Sequence, residues 1–189
     1  MQSIRTFLAL PLPPALQSSI AQAQAALLKG LSGIRLTDPA TVHLTLRFFG
    51  DIACDDLEKI RASMLSVALR TAPFAVDLAG VGAFPTWHRP RVVWVGVTPT
   101  ARLAELYREC QQELASVGIP AEQRPFAPHL TIGRFRETGP DLAALPAGLA
   151  QHRIGPLPVE SLVLYESRLL PGGARHIPLF TAPLDGALH

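Results

Sequence analysis

Cysteine is scarce. Cys54 and Cys110 are the chain's two, with no C-x-x-C and no spacing that suits a metal. This argues against a disulfide scaffold or a thiolate metal site and predicts two reduced thiols in a cytoplasmic protein. Aromatic residues make up only 6% of the chain, few for a sheet that reads RNA by interleaved aromatic and basic side chains. No apolar run approaches the roughly 20 residues that span a bilayer. The apolar stretch Phe7–Leu12 is short and interrupted by Pro11, Pro13 and Pro14, so it reads as a first strand rather than a signal peptide. Charged residues are 17% of the chain and lysine is limited to Lys29 and Lys59. The densest basic cluster is His88-Arg89-Pro90-Arg91, which is no nucleic-acid coat. There is no HD pair and no H-x-H.

What is present is a core and a modest positive charge. Hydrophobic residues are 48% of the 189 positions and the formal net charge is +2. Carried almost wholly by arginine, that charge suits bidentate contact with phosphate. The pattern predicts a strand over Ile4–Leu10 and a helix opened by Pro13-Pro14, with Leu16, Ile20, Leu27 and Leu28 on one face. A turn at Asp38-Pro39 precedes a strand over Val42–Phe49. A helix begins at Asp55-Asp56, with a stripe of Leu57, Ile60, Met64 and Val67, and a strand comes next over Phe74–Val81. Phe84-Pro85 and Arg89-Pro90 frame a loop.

The order then recurs. Arg91–Val97 reads as a strand and 101–117 as a helix with Leu103, Leu106, Cys110, Leu114 and Val117 on one side. His129–Phe135 is a strand, Asp141–Leu149 a weaker helix broken by Pro146, and Leu157–Leu169 contains a strand. A Gly172-Gly173 turn leads to a last strand over His176–Thr181. HLTLRFFG at 43–50 and HLTIGRFR at 129–136 lie 86 positions apart. The same offset aligns Arg5 with Arg91, Pro39 with Pro125, Phe49 with Phe135 and Asp55 with Asp141. The repeat rests on the shared element order and on the block around the histidines. We therefore expect an α+β fold: a single domain, 1–189, of two similar lobes related by pseudo-twofold symmetry. The repeat runs roughly over 1–86 and 87–172, with 176–181 as a closing strand. Each lobe is an antiparallel-rich sheet with helices on its outer face, and a cleft lies between them.

Side chains alternate across a strand. His43 and Thr45 therefore share a face opposite Leu44, Leu46 and Phe48, and His129 and Thr131 oppose Leu130 and Ile132. With the leucine faces under helices, two lobes can bring two imidazoles and two hydroxyls around one space. Imidazole exchanges protons near neutral pH, and a base and an acid on opposite sides of phosphorus suit in-line displacement. Threonine hydroxyls can donate to phosphoryl oxygens. One H-x-T alone is weak; two copies at equivalent places point to function for His43 and His129. The other four histidines, His88, His152, His176 and His189, read as structural.

HLTLRFFG and PFAPHLTIGRF resemble the paired H-x-T-x motifs of the two-histidine (2H) phosphoesterases, in the RNA 2′,3′-cyclic phosphodiesterase branch, also described as 2′-5′ RNA ligase-like. The likeness extends to RTFLAL, FPTWHRPRVVWVGV and VLYESRLLPGGARHIPLF. It implies metal-independent hydrolysis of an RNA or nucleotide 2′,3′-cyclic phosphate to a 2′-phosphate, together with reversible 2′-5′ ligation, by a monomer that needs no cofactor and no membrane. His43 would be the general acid, His129 the general base, and Thr45 and Thr131 would hold the phosphate. Arg134 lies where the branch has a phosphate or ribose contact. Strict alternation puts it on the face opposite His129, so either a bulge or the strand end turns it or it is structural. For base stacking, Phe48 lies on the leucine face and reads as core, Phe7 is open to either face, and Trp87 sits in a Pro-rich loop as the best candidate.

Two rival readings stand beside this one. A metal-dependent phosphodiesterase would need clustered ligands; Asp51 and Glu137 come after the two motifs, and chelation discriminates. An RNA-binding module without catalysis would leave the two histidines without a role, and a turnover assay discriminates.

Overall fold

The computed structural model describes residues 3–28, 31–98, 100–143, 153–170 and 173–186. In chain order its elements are β1 (Ser3–Pro11), α1 (Pro14–Leu28), β2 (Ile34–Leu36), a short 3-10 turn (Pro39–Thr41), β3 (His43–Ala53), α2 (Cys54–Ala68), β4 (Phe74–Phe84), β5 (Val92–Val97), α3 (Ala101–Ser116), β6 (His129–Phe135), β7 (Arg153–Val159), β8 (Ser161–Leu170) and β9 (Gly173–Pro183). The helix starts obey their local chemistry. Pro14 opens α1, where a missing N–H costs nothing. Asp55 and Asp56 occupy the first turn of α2, at the positive end of the dipole. The Thr100 side chain accepts from the Leu103 N–H at 3.1 Å and caps α3.

The strands form one antiparallel sheet in the order β7-β4-β5-β6-β3-β1-β8-β9, with β2 added on β6. Its two halves meet at a single pair, Leu44 opposite Leu130. By the 86-residue offset β3 corresponds to β6, so the order reads alike from both ends. The third strands, however, are exchanged: β4 of the first unit pairs with β5 of the second, and β8 pairs back with β1. Sequence order alone carried no sign of this.

The helices cover the leucine face. Ile20 and Leu28, Ile60, Met64 and Val67, and Leu103, Leu106, Cys110 and Leu114 are buried in one core with Leu44, Leu46, Leu130 and Ile132. The expected strand in 157–169 is two strands, β7 and β8, separated at Glu160. The expected helix at 141–149 falls mostly outside the described residues. Its start is not helical: Asp141 accepts from Ala143 N and pairs with His88. Among the described residues no helix is long and apolar enough to cross a membrane.

Candidate active site

Each histidine opens its strand and is anchored in the same way. His43 Nδ1 lies 2.8 Å from the Thr41 carbonyl, and His129 Nδ1 lies 2.7 Å from the Ala127 carbonyl. A carbonyl only accepts, so each Nδ1 carries the proton and each Nε2 presents a lone pair. The local chain sets this up. Asp38 caps the 3-10 turn through the Ala40 N–H at 3.0 Å and delivers the Thr41 carbonyl. On the other strand, Pro125 and Pro128 frame the loop that delivers the Ala127 carbonyl.

A bulge lies just past the threonine in both strands. Across β1 and β3, Ala9 opposes Thr45 and Leu8 opposes Arg47, so Leu46 is the extra residue. Across β5 and β6, Trp94 opposes Thr131 and Val93 opposes Gly133, leaving Ile132 extra. Two successive residues therefore face the core, and alternation resumes out of phase. Arg134 lands on the same face as His129 and Thr131, which resolves the conflict that strict alternation raised. Its counterpart at the 86-residue offset, Phe48, lands beside His43 and Thr45. Phe48 is 51% exposed, and its expected place in the core is corrected by the bulge. The signal was legible in principle, because Phe48 and Arg134 are five positions after equivalent histidines. The bulge residues differ. Arg47 is buried and donates to Gln111 Oε1 and the Pro120 carbonyl, whereas at Gly133 a Cβ would press on Ile34 Cδ1 at 2.8 Å. Buried Gln24 of α1 secures the second bulge by donating to the Ile132 carbonyl at 2.9 Å.

His43, Thr45, Phe48, His129, Thr131 and Arg134 line one cleft of about 820 Å³. Neither threonine hydroxyl has a protein partner among the described residues. Arg5, Arg35 and Arg175 join Arg134 in the lining, with Arg35 directly opposite Arg134 across β2 and β6. Among the described residues none of these four is ion-paired, whereas Arg61, Arg70, Arg108, Arg124, Arg153 and Arg168 all are. Four guanidiniums without ion-pair partners, against the one lining carboxylate of Asp38, give the concave site an anion-binding field. Burial drives His43 from its ordinary 6.5 down to about 4; the Thr41 bond opposes this, and His176, Arg134 and His129 add to it. His129 is also lowered, chiefly by burial, with Arg134 pushing the same way. Both imidazoles are therefore neutral at neutral pH. Among the described residues no group of three or more His, Cys, Asp or Glu is arranged to hold a metal.

The aromatic expectations change. Phe7 is only 1% exposed. It lies in the cleft wall, stacked on His43 at 4.7 Å and on Tyr165 at 5.2 Å, so it backs the histidine and exposes little of its ring for a base. Trp87 is half-buried against the core and does not line the cleft, because its loop folds back on the body of the protein. The aromatics at His129 are instead Phe84, edge-on at 5.0 Å, and Trp94 at 6.1 Å. Gly82 makes room for the Trp94 indole, since any Cβ there would collide with the ring. His88 bonds Asp141 on the surface, as a structural residue would. His176, expected to be structural, lines the cleft beside His43. No local pattern announces it, because its position depends on β9 pairing with β8. His152 and His189 lie outside the described residues.

Comparison with known proteins agrees with this geometry. The chain is similar to the RNA 2′,3′-cyclic phosphodiesterase of Methanothermobacter thermautotrophicus, 31% identical over 182 residues that cover 94% of this chain and 95% of that one. It is also similar to the protein of the same name from Thermotoga maritima, 30% identical over 186 residues and 98% of both chains. The crystal structure of TT0787 of Thermus thermophilus superposes with a TM-score of 0.82 at 28% identity, covering 97% of this chain and 99% of that one. That of E. coli LigT complexed with 3′-AMP does so with a TM-score of 0.79 at 25% identity, with the same coverage. Residues 9–168 match the model of the 2′-5′ RNA ligase superfamily, and the chain belongs to that superfamily.

Proposed function

We propose that the protein is an RNA 2′,3′-cyclic phosphodiesterase that opens the ring by general acid–base catalysis between its two motif histidines. The observation that carries this reading is the pair of imidazoles with open Nε2 atoms in one cleft with four unpaired arginines. Arg134, Thr45 and Thr131 hold the phosphate. One Nε2 takes a proton from water while the other, protonated on binding the anionic ester, gives its proton to the leaving ribose oxygen. Phosphate charge in the cleft favours that protonation. Ligation at a 2′-5′ bond is the same ring opening with an RNA hydroxyl in place of water as the nucleophile and O3′ again leaving.

The two histidines are distinguished by what lies beside them. Water enters opposite the leaving oxygen, so the nucleoside must lie on the acid's side. The open aromatic face, Phe48, belongs to the His43 half. This supports His43 as acid and His129 as base, with the ring opened at O3′ and a 2′-phosphate as product. The same reading takes residues 1–189 as one two-lobed domain with repeats over 1–86 and 87–172, supported by the strand order that reads alike from both ends. It also takes the protein to be a cytoplasmic monomer acting on RNA ends or small cyclic nucleotides. The test is hydrolysis of 2′,3′-cyclic AMP by purified protein in EDTA, with products separated against 2′-AMP and 3′-AMP. We expect turnover and 2′-AMP. Activity abolished by EDTA and restored by a divalent metal would favour a metal-dependent reaction, and predominant 3′-AMP would reverse the substrate's orientation.

A further inference from the structure

We propose that His176 is a third imidazole of the cleft, held neutral as a hydrogen-bond donor whose Nε2–H contacts an oxygen of the bound phosphoester; this rests on the phosphodiesterase reading above. His176 sits on β9, opposite Ser167 of β8. Its ring stands edge-on to two stacked rings, 5.2 Å from His43 at 88° and 4.9 Å from Phe7 at 81°. The ring lines the cleft, yet its Nδ1 is shut away from solvent and has no hydrogen-bond partner. The cleft-facing nitrogen is therefore Nε2.

A neutral imidazole has one proton to place. On Nδ1 it would be a buried donor with nothing to accept it, rarer in folded proteins than the bare buried acceptor that Nδ1 becomes when the proton sits on Nε2. On Nε2 it meets the cleft and whatever the cleft holds. The favoured tautomer is thus the opposite of that at His43 and His129, whose Nδ1 protons are committed to carbonyls. The cleft then offers two lone pairs for proton transfer and one fixed donor. Full protonation would restore the stranded Nδ1–H and set a cation against His43. Burial opposes it as well, lowering the His176 pKa. The titratable groups packed against the ring are His43 on β3 and Tyr165 on β8, and Arg175 precedes it on its own strand. A neutral donor can stabilise charge growing on a phosphoryl oxygen without repelling the proton that His43 must carry.

Long-range proton–nitrogen NMR of the intact protein at neutral pH reads all three tautomers. We expect Nδ1–H at His43 and His129 and Nε2–H at His176. In parallel, His176→Phe keeps a ring against Phe7 and His43 without the donor, and His176→Gln restores an N–H near the Nε2 position. With 2′,3′-cyclic AMP we expect the Phe variant to lose about ten- to a hundredfold in kcat/KM, the range for a hydrogen bond to a charged group, and the Gln variant to recover most of it. If the Phe variant does not fold, Gln is compared with Asn, whose amide reaches the Nδ1 position instead, and Gln should be the more active. The inference is overturned by an Nδ1–H tautomer or an imidazolium at His176, by wild-type kcat/KM in the Phe variant, or by a Gln variant no better than Phe or Asn. A wild-type protein inert on cyclic phosphates would sink the phosphodiesterase reading instead, and the NMR result would then decide for or against the donor alone.

Discussion

The His43 and His129 halves of the cleft share one plan. In each, Nδ1 is tied to the carbonyl two residues back, a threonine comes next on the same face, and a bulge then reverses the alternation. Beyond the bulge the halves diverge. One half continues with Phe48 and the other with Arg134; one packs buried Arg47 behind the bulge and the other leaves Gly133. One histidine has a third imidazole at its edge, and the other has Phe84. The shared features treat both sides of a phosphate alike. The differences give the site a direction, because a nucleoside has a base at one end only.

The harshest test removes the shared feature. Replacing either His43 or His129 by Ala should lower turnover by roughly two orders of magnitude or more, the scale of general acid or base help. The double variant should be little worse than either single one, because the pair acts as a unit. Steady-state rates on 2′,3′-cyclic AMP check this, and a near-normal single variant would end the two-histidine mechanism.

Arg134→Ala removes one side of the asymmetry and should lower kcat/KM about ten- to a hundredfold, as expected for a charge-assisted contact. Arg134→Lys should recover part of the loss. If the Lys variant matched wild type, the arginine would be acting only as a point charge. Phe48→Ala removes the other side. A stacked base is worth about 1–3 kcal/mol, so KM for cyclic AMP should rise about tenfold with kcat little changed. An unchanged KM would take the base away from Phe48 and remove the support for His43 as acid.

The gentlest test is pH. Burial holds His43 at about 4 and His129 below the ordinary 6.5. Both pKa values are depressed, so above that range the free pair carries no proton, and the reactive form needs one. The profile of kcat/KM, which reports the free enzyme, should therefore be a bell centred on the acid side of neutrality and should fall as pH rises through the neutral range. A maximum on the alkaline side would contradict this.

Local alternation was enough to place His43 with Thr45 and His129 with Thr131, and apolar stripes were enough to place α1, α2 and α3, because both depend only on spacing along one element. The repeated H-x-T at an 86-residue offset also implied two equivalent strands facing one cleft. By itself, then, the sequence determined the reacting groups and the faces they share. The tertiary structure decided the rest. Which residue bulges is set by register against a neighbouring strand, so the exposure of Phe48 and the turn of Arg134 into the cleft were not written in β3 or β6 alone. The exchange of β4 and β8 between units, and the arrival of His176 beside His43, depend on strand partners far away in the chain. Strand pairing is a long-range choice made by backbone hydrogen bonds that any residue but proline can offer, so side-chain patterns along one strand do not name its neighbour.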